Sequence, residues 1–79
     1  MPTPIEVLEK WKAGHKRRSV EIQIDDSYGA TCWRVVLTGR GVGQIEASEI
    51  DLMGEDGDDW PGLGAVILAA VVKANEAGL

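Results

Sequence analysis

Cysteine occurs once in the 79-residue chain, at Cys32, so no intrachain disulfide framework can form. Secreted domains this small usually depend on such bridges, and their absence favours a reducing, cytoplasmic setting. Histidine also occurs once, at His15, which leaves little material for acid–base or metal chemistry. The first residues, Met1-Pro2-Thr3-Pro4, lack the basic start and apolar stretch of a signal peptide. The longest apolar run, residues 63–72, is about half of what spanning a bilayer requires, so no membrane role is expected. No basic residue stands between positions 41 and 72, and there are no repeats or low-complexity linkers.

What is there suits a folded protein. Hydrophobic residues make up 44% of the chain, ordinary for a globular domain and too high for a disordered one. The length allows a single domain over residues 1–79 with one core. A domain of this size buries only about 60% of its unfolded surface, so its stability is expected to be a few kcal/mol. The net charge of −5 is unevenly spread: residues 1–40 sum to +2 and residues 41–79 to −7.

The local patterns predict an α+β fold. Thr3-Pro4-Ile5-Glu6 reads as a capping box, with Pro4 at the first helical position. Ile5, Leu8 and Trp11, joined by Val7, carry the helical spacing to residue 13, and Gly14 suits a left-handed stop. Ser19–Asp25 alternates, with Val20, Ile22 and Ile24 on one face and Glu21, Gln23 and Asp25 on the other. Asp26-Ser27-Tyr28-Gly29 is a turn. Residues 31–38 form a second strand, Trp33, Val35 and Leu37 opposing Cys32, Arg34 and Val36, before a reversal at Gly39-Arg40-Gly41-Val42-Gly43. A third strand runs from Gln44 to about Met53, its phase slipping near Ser48-Glu49 where a bulge or break is expected. Residues 54–59 are a polar, glycine-rich loop. Pro61 then opens a helix whose stripe is Leu63, Val66, Ile67, Ala70, Val71 and Ala74; Leu68 and Val72 widen it, implying burial on more than one side, and Gly78 ends it. The expected architecture is α-β-β-β-α: a three-stranded antiparallel sheet with both helices on one face.

Double-stranded-RNA-binding domains share this element order, and that family binds phosphates through a lysine-rich start to its last helix. The corresponding stretch here, Asp58-Asp59-Trp60-Pro61-Gly62-Leu63-Gly64, has two acids and no base. Direct nucleic-acid binding is not expected. His15-Lys16-Arg17-Arg18, with Lys10 and Lys12, reads as a solvated connection complementing the carbonyl end of the first helix, His15 being a helix-end cation. Cys32 reads as a packed thiol, and Asp25-Asp26 as Asx-turn chemistry rather than metal ligation. Asp51, Glu55, Asp56, Asp58 and Asp59 lack the spacing of a calcium loop. No catalytic, metal or cofactor site is expected, and no cofactor.

The acidic stretch is the strongest functional signal. Glu46, Glu49, Asp51, Glu55, Asp56, Asp58 and Asp59 put seven acids within fourteen residues, with no local counter-ion. Clustered like charges repel on a compact fold; they serve solubility or form a surface for a cationic partner. Trp60, between Asp59 and Pro61, is either an interface anchor or a staple holding the helix start to the core.

Two passages, Ile24-Asp25-Asp26-Ser27-Tyr28-Gly29-Ala30-Thr31-Cys32-Trp33 and Trp60-Pro61-Gly62-Leu63, resemble segments of small orphan proteins of bacteriophages and mobile elements, a group that includes anti-CRISPR proteins. That resemblance implies a protein-binding inhibitor, a DNA mimic that occludes the basic nucleic-acid-binding surface of a host complex such as a CRISPR effector. It would act in the host cytoplasm if phage-encoded, as a monomer or weak homodimer. The expected partner-binding residues are Glu46, Glu49, Asp51, Glu55, Asp56, Asp58, Asp59 and Trp60. The alternative is a small structural or accessory interaction module, monomeric or homodimeric, without catalytic activity.

Overall fold

The computed structural model describes residues 2–26, 32–39, 43–52 and 61–79. The expected loop over residues 54–59, Trp60, and most of the two expected turns lie outside the described residues. The first helix, α1 (Pro4–Ala13), starts on the capping box. The Thr3 hydroxyl accepts the Glu6 N–H at 3.2 Å and the Glu6 carboxylate accepts the Thr3 N–H at 3.4 Å.

The helix ends differently from expectation. Gly14 is right-handed, with φ −68° and ψ −18°, so it supplies no left-handed stop. Arg18 supplies the reason for a glycine there. One guanidinium nitrogen donates to the Trp11 carbonyl at 2.7 Å, and a Cβ on Gly14 would stand 2.7 Å from that same nitrogen. The guanidinium also lies 4.7 Å from the Trp11 ring centroid, and its Nε donates to the Leu79 carbonyl at 2.8 Å. Arg18 thus joins the end of α1 to the end of the chain.

Three antiparallel strands follow, β1 (Ser19–Asp25), β2 (Cys32–Thr38) and β3 (Gln44–Ser48), in spatial order β1-β2-β3. The register aligns Val20, Leu37 and Ile45 in one row and Ile22, Val35 and Ala47 in the next. The third strand stops at Ser48; residues expected to continue it instead form a one-turn helix, α2 (Glu49–Leu52). The Ser48 hydroxyl accepts the Asp51 N–H at 3.4 Å, a helix-cap arrangement that turns the slipped apolar phase of Ile50 and Leu52 into a helical one.

The last helix, α3 (Gly62–Glu76), lies across β2 and β3 and along α1. Val66, Ile67, Ala70, Val71 and Ala74 are buried, and Gly78, at φ +78°, lets the chain turn back so that the Leu79 N–H reaches the Ala74 carbonyl. Leu8 and Trp11 from α1 enter the same buried cluster as Val35, Leu37 and Ala47, so both helices serve one face of the sheet. Two expectations fail at the edges of this core. Ile5 is exposed, and so are Leu68 and Val72, the latter by 55%. One stripe of α3 meets the sheet and another meets α1, leaving these two residues on its outer side.

Candidate functional site: the acidic segment

The segment from β3 to α3 carries the expected partner-binding acids, and the structure divides them. Glu46 is exposed on β3, across from Val36 on the face away from the helices. Asp51 is exposed on α2. Glu55, Asp56, Asp58, Asp59 and Trp60 lie outside the described residues. A cation invisible in the local sequence comes to this region from α3: the Lys73 ammonium donates to the Glu46 backbone carbonyl at 3.3 Å.

Glu49 does not belong to the acidic surface. Only 3% of it is exposed, and each carboxylate oxygen accepts one backbone N–H, from Trp33 and from Gly62, both at 2.8 Å. The last strand pair is Arg34 with Ser48, so Glu49 stands next in register, opposite Trp33. Where the ladder breaks, its side chain takes an N–H of the strand. Its other oxygen serves the first residue of α3, whose N-cap is Pro61 and has no side-chain acceptor. A carboxylate placed at a helix N-terminus is favoured by the dipole as well as by the orphan donor. Expected as a partner-binding acid, Glu49 is a clamp joining β2, α2 and α3.

The face of the sheet away from the helices carries Glu21, Gln23, Asp25, Arg34 and Glu46 around Cys32 and Val36. Asp25 Oδ2 meets an Arg34 guanidinium nitrogen at 2.7 Å, a diagonal cross-strand pair. Cys32 is buried, and its thiol is pushed above its ordinary range by burial first, then by the Asp25 and Glu49 carboxylates, with Arg34 acting in opposition. A thiol held protonated near neutral pH is a poor nucleophile. Among the described residues no group of three or more His, Cys, Asp and Glu side chains could hold a metal ion.

The basic cluster resolves into two roles. Arg18 turns inward as described, whereas Lys10, Lys12, Lys16 and Arg17 are exposed at the end of α1. The Arg17 N–H donates to His15 Nδ1 (3.1 Å), closing a local turn just past the end of α1. A half-open groove of about 520 Å³ runs between α1 and α3, lined in part by Val7, Trp11, Arg18 and Val71.

Among the described residues, Arg18 and Glu49 tie distant elements together, and sequence reasoning missed both. Glu49 had one readable signal, the Ser48-x-x-Asp51 spacing that starts a helix just where the strand phase slips. Compared with known proteins, the chain matches no family model, no curated protein and no solved structure. Among the described residues no helix is long and apolar enough to cross a membrane.

Proposed function

We propose that the chain is a non-catalytic, protein-binding inhibitor of the anti-CRISPR kind, acting in the cytoplasm of a host cell. Its acidic end imitates nucleic-acid charge and occludes the basic nucleic-acid-binding surface of a host complex, a CRISPR effector being the leading example. The supporting observation is a separation of charge. Residues 41–79 sum to −7, and Asp51 lies on α2, which packs beside the first turn of α3. The exposed Lys10, Lys12, Lys16 and Arg17 gather instead at the end of α1, where Arg18 ties the chain to Leu79 beyond the other end of α3. Helix α3 has 15 residues and is therefore about 22 Å long, roughly two to three Debye lengths at physiological salt. A cationic groove would therefore meet the acidic end with little opposition from the basic one.

Glu46 and Asp51 supply this surface together with the acids of residues 55–59; Glu49 does not. Steering by such a surface accelerates encounter, while a fitted apolar or aromatic contact, for which Trp60 is the candidate, slows release. The test is competition. Labelled protein bound to a CRISPR effector or another basic nucleic-acid-handling complex should be displaced by the nucleic acid that the complex binds, in proportion to occupancy. A bound complex that still admits its nucleic acid at full affinity would overturn the proposal.

A further inference from the structure

The strand order β1-β2-β3 leaves two edges on the sheet, and the structure treats them differently. Edge β3 has five residues, and Lys73 donates to its Glu46 carbonyl. Edge β1 has seven residues, Ser-Val-Glu-Ile-Gln-Ile-Asp, with no proline, glycine or lysine. Proline and lysine are among the devices that usually keep an edge from pairing with another chain; the charges that β1 does carry, Glu21 and Asp25, lie on the face away from the helices. Its core-side face is also left open: Ile22 and Ile24 remain 42% and 61% exposed, although Val35, paired with Ile22, is fully buried. Among the described residues no element covers this edge, and an apolar row there calls for a partner strand.

We propose that β1 pairs antiparallel with β1 of a second copy of the chain, joining two sheets into one of six strands about a twofold axis at Ile22. Charge selects both the occupant and the register. A self-pairing that keeps apolar faces together can be centred on any single residue of the strand, because side chains and outward N–H and C=O groups both alternate with period two. Centred on Glu21, the pairing sets that carboxylate against its own copy. Centred on Gln23, it sets Glu21 against Asp25 twice. Centred on Val20 or Ile24, it matches only residues 19–21 or 23–25. Centred on Ile22, it sets Ile22 on Ile22, Val20 on Ile24, Glu21 on Gln23 and Ser19 on Asp25. No like charges stand directly opposite one another there, and just past the strand Arg18 falls opposite Asp26. One full-length register is therefore free of directly opposed like charges, and it aligns all three apolar residues of each copy in a single row. Every contact is made twice except that of Ile22 with its own copy, which lies on the axis, as a twofold interface requires.

This inference is independent of the acidic reading. A strand-edge interface buries less area than the roughly 1,200 Å² of a stable complex, so the dimer is weak and concentration-dependent. Sedimentation velocity on the full chain between about 5 and 500 µM should therefore show a monomer–dimer equilibrium. Ile22→Lys puts two ammonium groups at the axis and should raise the dimer dissociation constant at least about tenfold, with an unchanged circular dichroism spectrum. Residues facing each other across an antiparallel pair have Cα atoms about 4.5–5.5 Å apart, within disulfide reach. Ile22→Cys should oxidise to a covalent dimer, while Glu21→Cys, which faces Gln23, should do so far less; the wild-type chain with its buried Cys32 is the control. A wild-type chain that stays monomeric throughout, a dimer indifferent to Ile22→Lys, or equal cross-linking at positions 21 and 22 would each overturn the proposal. If Ile22→Lys unfolds the chain, the cysteine pair decides alone.

Discussion

A carboxylate taken out of water is tolerated only if its lone pairs find donors. Glu49 finds two backbone N–H groups that would otherwise lack partners, one at a broken sheet ladder and one at an uncapped helix start. Removing it strands both donors. Glu49→Ala should therefore destabilise the domain by about 2–4 kcal/mol, read as a lower urea midpoint at unchanged slope. Glu46→Ala and Asp51→Ala, at exposed positions, should each stay within about 0.5 kcal/mol. Equal losses at all three would mean that Glu49 is no clamp. None of this was legible from composition, because Glu49 is one of seven acids and differs from its neighbours only in which elements meet around it. Cys32 is a second case in which surroundings set the chemistry. Its thiol pKa is raised, so the folded state favours the neutral form. The stability that this supports is present at neutral pH and is lost as pH rises through and beyond the ordinary thiol range. Iodoacetamide should label native Cys32 much more slowly at pH 7.5 than the urea-unfolded chain; similar rates would show an accessible thiolate.

Elements were readable where their signals are local. The capping box of α1, the bounds of β1 and the glycine stop of α3 each depend on a few consecutive residues, and each stands where the sequence put it; the burial of β1 does not alternate as its pattern suggests, Ile22 and Ile24 being exposed. The end of β3 was only half readable. The slip in apolar phase marks the position, but a bulge and a helical turn make the same slip, and Ser48 together with Glu49 decides between them through contacts with Asp51, Trp33 and Gly62. The width of the α3 stripe was misread for a related reason: Leu68 and Val72 would be buried only if a further layer covered that side, and hydropathy cannot count layers. The difference is measurable. Ile67→Ala, at a fully buried position, should cost about 2–5 kcal/mol. Leu68→Ala and Val72→Ala should cost about 1 kcal/mol or less, since about half of each residue already meets water. A large loss at Val72 would require a covering layer.

At the scale of the whole molecule, charge follows the chain more simply than the fold does: the excess of acids after residue 41 is read from the sequence, whereas the burial of Glu49 is not. The sum of −7 over residues 41–79 includes the buried Glu49; among the described residues it leaves Glu46, Asp51 and Glu76 exposed, and the proposed surface joins Glu46 and Asp51 to the acids of residues 55–59. If that surface meets a cationic groove, its effect is long-ranged and lies mainly in the association rate. Glu46→Lys combined with Asp51→Lys changes the local charge by four units at two exposed positions, neither of which holds the fold together. Folding stability should be unchanged or slightly higher, because self-repulsion among the acids is reduced. Association with the basic partner should slow by about tenfold or more at low salt, with dissociation nearly unaffected. As salt approaches about 1 M the Debye length contracts to about 3 Å, and the variant and the parent chain should converge. Asp56→Lys with Asp58→Lys should behave alike if the whole segment acts as one field. A defect that persists undiminished at high salt would instead indicate short-range contacts made by these side chains, and no defect at all would leave the acids as a solubilising surface and end the mimic reading.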